Sequence, residues 1–186
     1  MELRPYQIES CEAIGAGWKD FGKQLAVLPT GSGKTIVAAK VSMDVVEAGG
    51  RVLFLAHREE LLTQAIDKFR TAIGIGPDLE KAQSRASLQA PIVVASVQTM
   101  VARKDRWPRD HFDLIVVDEA HHVLASTYRK VLSRFDGHAK VLGITASPDR
   151  TDKRNLGAFF ENIAFEVSLF ELIRQGYLSP IACKAI

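Results

Sequence analysis

Leu28-Pro29-Thr30-Gly31-Ser32-Gly33-Lys34-Thr35 carries the residue types that grip a polyphosphate. A short apolar run, Gln24–Leu28, precedes it, and Ile36, Val37, Ala39, Val41, Val45 and Val46 follow at helical spacing. Strand, glycine-rich turn and helix start aim backbone amides at one point. The helix N-terminus adds partial positive charge there. Gly31 and Gly33 allow close backbone approach and unusual dihedrals. Lys34 can reach the outer phosphates, and the Thr35 hydroxyl can ligate magnesium. The strict pattern asks for glycine five places before Gly33, where this chain has Leu28. An incidental glycine–lysine turn is the alternative. The flanking strand and helix favour a nucleotide site with Mg2+ built from Pro29, Thr30, Gly31, Ser32, Gly33, Lys34 and Thr35.

Leu114-Ile115-Val116-Val117-Asp118-Glu119-Ala120-His121 brings two carboxylates to the end of a second apolar strand. Asp118 suits a metal ligand opposite Thr35. Glu119, beside it, suits the group that orients and deprotonates an attacking water. The same pair can cap a helix starting at Ala120, because acidic residues favour that position. Alongside a phosphate loop the catalytic reading dominates, with Lys34, Asp118 and Glu119 as its residues.

Elements that would position these groups follow from hydropathy. Pro5 to Trp18 reads as a first helix, proline at its opening turn and Ile8, Cys11, Ile14 and Trp18 along one side. Further strands are expected at Arg51–Ala56, Ile92–Ala95, Leu114–Val117 and Val141–Ile144. A helix is expected over Glu59–Ile73, with Leu61, Leu62, Ala65, Ile66 and Phe69 inward. Residues 74–90 read as a polar connection. After Pro148 the pattern weakens to an edge element over Ile163–Val167, a short helix over Leu169–Gln175 stopped by Gly176, and a strand begun at Ile181. The chain ends inside that strand, as a piece of a longer protein would. The strands are apolar on consecutive residues, as expected when helices cover both sheet faces. Strands alternating with helices imply an α/β fold with a mostly parallel sheet. Ligands of such sheets sit beyond the strand carboxyl ends, where both motifs above fall.

At 186 residues the chain suits one domain over 1–186, with its motifs within 4–150. An apolar content of 47% fills a core, and a net charge of +2 leaves any nucleic-acid surface to a local patch. Cys11 and Cys183 stand far apart without a nearby metal-spaced partner, which fits reduced thiols and a cytoplasmic location. The start lacks the apolar core of a signal peptide, and no run approaches a membrane span. Trp18 and Trp107 read as packing or surface residues.

Taken together, these motifs resemble those of superfamily 2 helicases and translocases. The phosphate loop is similar to their motif I, with its first glycine relaxed, and Asp118-Glu119-Ala120-His121 to the DEAH form of motif II. Arg4-Pro5-Tyr6-Gln7 resembles the adenine-recognition element of the branch holding restriction-enzyme motor subunits (the type III Res subunit among them) and DNA repair helicases. Ala56-His57-Arg58-Glu59-Glu60-Leu61 resembles motif Ia, Ser96-Val97-Gln98-Thr99 the next nucleic-acid segment, and Thr145-Ala146-Ser147-Pro148 motif III. The resemblance implies the N-terminal RecA-like domain of an ATP-dependent DNA helicase or translocase, its second RecA-like domain lying outside this chain. Gln7 would pair with the adenine edge, with Arg4 and Tyr6 near the base or holding Gln7. His57, Arg58, Ser96, Gln98 and Thr99 would contact a nucleic-acid backbone without reading sequence. For these five, a solvated helix start or a cap is the alternative. His121, Thr145 and Ser147 would couple hydrolysis to movement. An RNA helicase and a non-motor phosphate-loop module remain the competing classes.

Overall fold

The computed structural model describes residues 2–146 and 156–180. Among the described residues, seven strands form one sheet: β1 Lys23–Val27, β2 Val52–Ala56, β3 Asp78–Glu80, β4 Ile92–Ser96, β5 Leu114–Asp118, β6 Lys140–Thr145 and β7 Asn162–Glu166. Their spatial order is β3-β4-β2-β5-β6-β1-β7, and every pairing is parallel. Parallel neighbours need crossovers. Helices α1 Pro5–Gly17, α2 Lys34–Glu47, α3 Glu59–Ile73, α4 Val97–Arg103, α5 Ser126–Leu132 and α6 Leu169–Arg174 accompany the sheet.

Side chains alternate along each strand, yet both faces are buried. Leu25, Val27, Leu53, Leu55, Ile115 and Val117 point to one face, where Met100 of α4 and Val131 of α5 cover them. Ala26, Val52, Phe54 and Val116 point to the other, under Ile14 of α1, Val37 of α2 and Phe69 of α3. That is why these strands lack an apolar–polar alternation. Trp107 belongs to the first core, tilted against Phe112 with ring centroids 5.2 Å apart.

Two expectations need correction. Helix α1 buries Tyr6, Gln7, Ser10 and Ile14, while Ile8 faces solvent. Its first turn meets the phosphate loop, which calls for the polar groups of Tyr6 and Gln7 there, while Ile14, Cys11 and Trp18 pack on the second core. The polar connection at 74–90 contains the edge strand β3, too short to carry a periodic signal. It is held by Glu80, a fully buried carboxylate paired with Arg103 and Arg106 and accepting the Ala86 amide at 2.9 Å. Buried charges persist only when paired this way. The strand expected from Ile181 lies outside the described residues, as do Ser147, Arg150 and Cys183.

Register sets the site. Val27 at the end of β1 pairs with Thr145, and Asp118 at the end of β5 pairs with Ile144, so β6 lies between them. The turn after β1 and the acids after β5 therefore share one edge, two strand spacings or roughly 10 Å apart. Gly143 in β6 lets the chain after β5 close down. A Cβ there would stand 2.3 Å from the Phe160 ring and 2.9 Å from the Ala120 Cβ. Gly143→Ala is expected to cost about 1–3 kcal/mol by overpacking, read as a lowered thermal midpoint; an unchanged midpoint would contradict the tight fit.

Candidate functional site

Gly31 and Gly33 both take φ of 82°, the left-handed region in which only glycine is unstrained. Gly33 is doubly required, because a Cβ there would meet the Gln7 Nε2 at 2.6 Å. Its carbonyl accepts the Ile36 amide at 2.8 Å, so Lys34 and Thr35 occupy the first turn of α2, where amides lack helical acceptors. Ser32 is buried, its hydroxyl donating to the Pro29 carbonyl at 2.6 Å. Pro29 is buried too, and Thr30 faces solvent. The loop strand is tied to β6 by the Leu28 amide, which donates to the Thr145 carbonyl at 3.0 Å.

The loop is also held from α1. Tyr6 donates its hydroxyl to the Ser32 carbonyl at 2.7 Å, and Gln7 donates Nε2 to the same oxygen at 2.9 Å. The Arg4 amide donates to Gln7 Oε1 at 3.0 Å. An amide side chain has two donor hydrogens and two acceptor lone pairs, so Gln7 keeps one of each to spare. Arg4, Gln7, Gly31, Ser32 and Gly33, with Glu2 and Ile36, line a cavity of about 300 Å³. The segment expected to touch adenine thus adjoins the phosphate loop. Its hold on Ser32 is a role that residue types alone did not disclose.

Across β6, Asp118 is buried and accepts the Glu119 amide at 3.0 Å. Burial, and then the Glu119 carboxylate, push the Asp118 carboxyl up to about 6; the Glu119 amide and the Lys34 ammonium pull it back. Lys34 at the start of α2 and Asp118 at the end of β5 stand on the same sheet edge, which the site reading requires. Glu119 sits at φ 50° and ψ 57°, a conformation uncommon for a non-glycine residue. Such strain clusters at functional sites. The helix that Glu119 was free to cap is a single 3-10 turn, Ala120–His122, and the Glu119 side chain does not cap it. His121 Nδ1 lies 3.4 Å from Glu119 Oε2 and 3.5 Å from Thr145 Oγ1, so Glu119 and the end of β6 are joined through one imidazole. Tyr128 of α5 escaped notice in the sequence. Its buried hydroxyl has its pKa raised by burial and then by the charges of Asp118 and Glu119.

Farther along the edge, His57 and Arg58 lead into α3. Arg58 is exposed; His57 stacks edge-on against His122 with ring centroids 4.4 Å apart. Burial, and then Arg58, hold His57 below its ordinary pKa. Ser96 caps α4: its hydroxyl accepts the Thr99 amide at 3.2 Å and donates to Thr99 Oγ1 at 2.8 Å. Thr99 Oγ1 also accepts the Ala82 amide at 3.2 Å, and Gln98 is exposed. Capping is thus an observed job of Ser96, and Arg58 and Gln98 are the groups left facing outward.

A phosphate loop after β1, paired acids after β5 and helices on both faces of a parallel sheet define a RecA-like nucleotide-binding domain. The chain belongs to the family described as type III restriction enzyme, res subunit, whose model matches residues 1–150. IRC3 of Saccharomyces cerevisiae is 31% identical over 95% of this chain, which spans 28% of that protein. The Escherichia coli type I restriction enzyme EcoAI endonuclease subunit is 30% identical over 95% of the chain and 23% of its own length. Among solved structures, the Pyrococcus furiosus Hef helicase domain superposes with a TM-score of 0.67 at 30% identity, covering 89% of this chain and 39% of that one. The chain therefore spans well under half the length of each of these three relatives.

Because the fold raises the Asp118 pKa, the native state holds that proton more tightly than the unfolded chain does. The resulting penalty is absent below pH about 4, grows as pH rises to about 6, and is complete above it. Asp118→Asn is expected to stabilise the metal-free protein by about 2–3 kcal/mol at pH 7.5 and not at pH 4. Denaturant melts at the two pH values check this; an equal effect at both would remove the electrostatic account.

Proposed function

We propose that this chain is the ATP-binding domain of an ATP-driven motor that acts on DNA. The observation that carries the reading is the strand register that brings the glycine turn before Lys34 and the end of β5 at Asp118 to one sheet edge, with the left-handed Glu119 beside them. The donor set suits a magnesium–triphosphate. Loop amides and Lys34 would hold phosphates, and Thr35 and Asp118 would hold the metal, which supplies charge neutralisation at the outer phosphates. Glu119 would orient the attacking water and take its proton. His121 would keep the Glu119 carboxylate in place and report its position to Thr145, with Ser147 expected to act alongside.

Several features support DNA as the track. The outward Arg58 and Gln98 lie on the same edge as the nucleotide site, and phosphate contacts of this kind carry no sequence information. Family membership and the restriction-enzyme and Hef relatives point the same way. Motors of this class close their site with an arginine from a C-terminal RecA-like domain, worth about thousand-fold or more in turnover. The present chain alone is therefore expected to bind ATP–magnesium weakly and hydrolyse it slowly.

Calorimetric titration with ATP–magnesium tests the assignment. Lys34→Ala should lose binding, whereas Glu119→Gln should retain it and, in the intact motor, abolish DNA-stimulated turnover. Wild-type affinity in Lys34→Ala, or an active Glu119→Gln motor, would overturn the site.

A further inference from the structure

The base side of the phosphate loop is buttressed by a turn far away in sequence. Helix α6 runs to Arg174, and Gly176 turns the chain at φ 77°. The amides of Tyr177 and Leu178 both donate to the Leu172 carbonyl, at 2.9 and 3.2 Å. Leu172 is fully buried, so the turn is anchored in the core. From that anchor the Tyr177 carbonyl accepts Arg4 Nη1 at 3.2 Å, and the Tyr177 ring lies 5.7 Å from the Arg4 guanidinium carbon. The Tyr6 ring meets Tyr177 edge-on at 5.1 Å. Leu178 Cδ2 is 3.4 Å from where a Cβ on Gly31 would stand, so it stands against the loop's first left-handed glycine.

Arg4 lines the cavity beside Gln7 and the loop; Tyr177 does not. Arg4 Nη1 also donates to the Tyr6 hydroxyl at 3.3 Å, whose own proton goes to Ser32. We propose that Tyr177 is a positioning residue for the base side of the nucleotide pocket, acting through Arg4. This rests on the nucleotide reading above. A guanidinium at a chain end has many rotamers and a large entropy to lose. Here a carbonyl and an aromatic face confine it to one side of the cavity. The half-buried tyrosine packs against the second core and also meets a cation and a second polar ring, contacts that packing alone does not require. Since the loop amides and Lys34 would hold the phosphates, removal of the Tyr177 ring should touch recognition of the base and spare that of the phosphates.

Two probes separate these terms: ATP and inorganic tripolyphosphate, each with magnesium, titrated into the chain and its variants. Tyr177→Ala and Arg4→Ala are each expected to weaken ATP about tenfold, about 1.4 kcal/mol. The double variant should fall no further, since both act through one contact. Tripolyphosphate affinity should be unchanged throughout, and Tyr177→Phe should bind ATP as the wild type does. Wild-type ATP affinity in Tyr177→Ala, equal losses for both probes, or additive losses in the double variant would overturn the proposal. Wild-type protein that binds neither probe would overturn the nucleotide reading itself, and the proposal with it. Binding of tripolyphosphate no weaker than ATP would leave the phosphate loop standing and remove the base pocket.

Discussion

Placement of β6 between β1 and β5 is the constraint from which the site follows. With parallel strands in this order, the glycine turn and Asp118 are delivered to one edge with a fixed gap, and Thr145 stands in the middle of it. No loop has to find that geometry. It is set by backbone hydrogen bonds, the least adjustable part of the molecule. The side chains then need only reach inward, which explains how short motifs serve on so long a chain.

The same edge is where the molecule tolerates discomfort. A buried aspartate beside a second carboxylate and a glutamate in a left-handed conformation both oppose folding. Both are flanked in the chain by core residues: Val116 and Val117 behind them, Ala120 and Val123 ahead, all fully buried. Unfavourable electrostatics held by good packing clusters at functional sites.

Most of the frame was legible because buried parallel strands are runs of branched aliphatics, and α3 is amphipathic enough to be bounded at Glu59–Ile73 from sequence. The phosphate loop and Asp118-Glu119 were legible because their residue types are rare in combination. The rest was hidden for identifiable reasons. Strand β3 has three residues and depends on a carboxylate, Glu80, whose charged partners Arg103 and Arg106 lie more than twenty positions away. The first turn of helix α1 turns Tyr6 and Gln7 inward because they bond the glycine loop, while Ile14 farther along meets the apolar core. Tyr128 and Tyr177 reach the site by tertiary packing and carry no local signal. Ser96 was readable both as a cap and as a contact; its hydroxyl proton goes to Thr99.

The partners of β1 arrive late. Gln24 and Asn162, whose side chains are bonded, are separated by 138 positions, and every sheet contact of β1 is of this long-range kind. During synthesis, the phosphate loop must therefore wait, flanked by an unpaired apolar strand, until nearly the whole domain has left the ribosome. Slow, late closure of this sort favours chaperone capture over spontaneous early collapse. It also means that a truncated nascent chain, though it contains every residue of the glycine turn, has no nucleotide cradle.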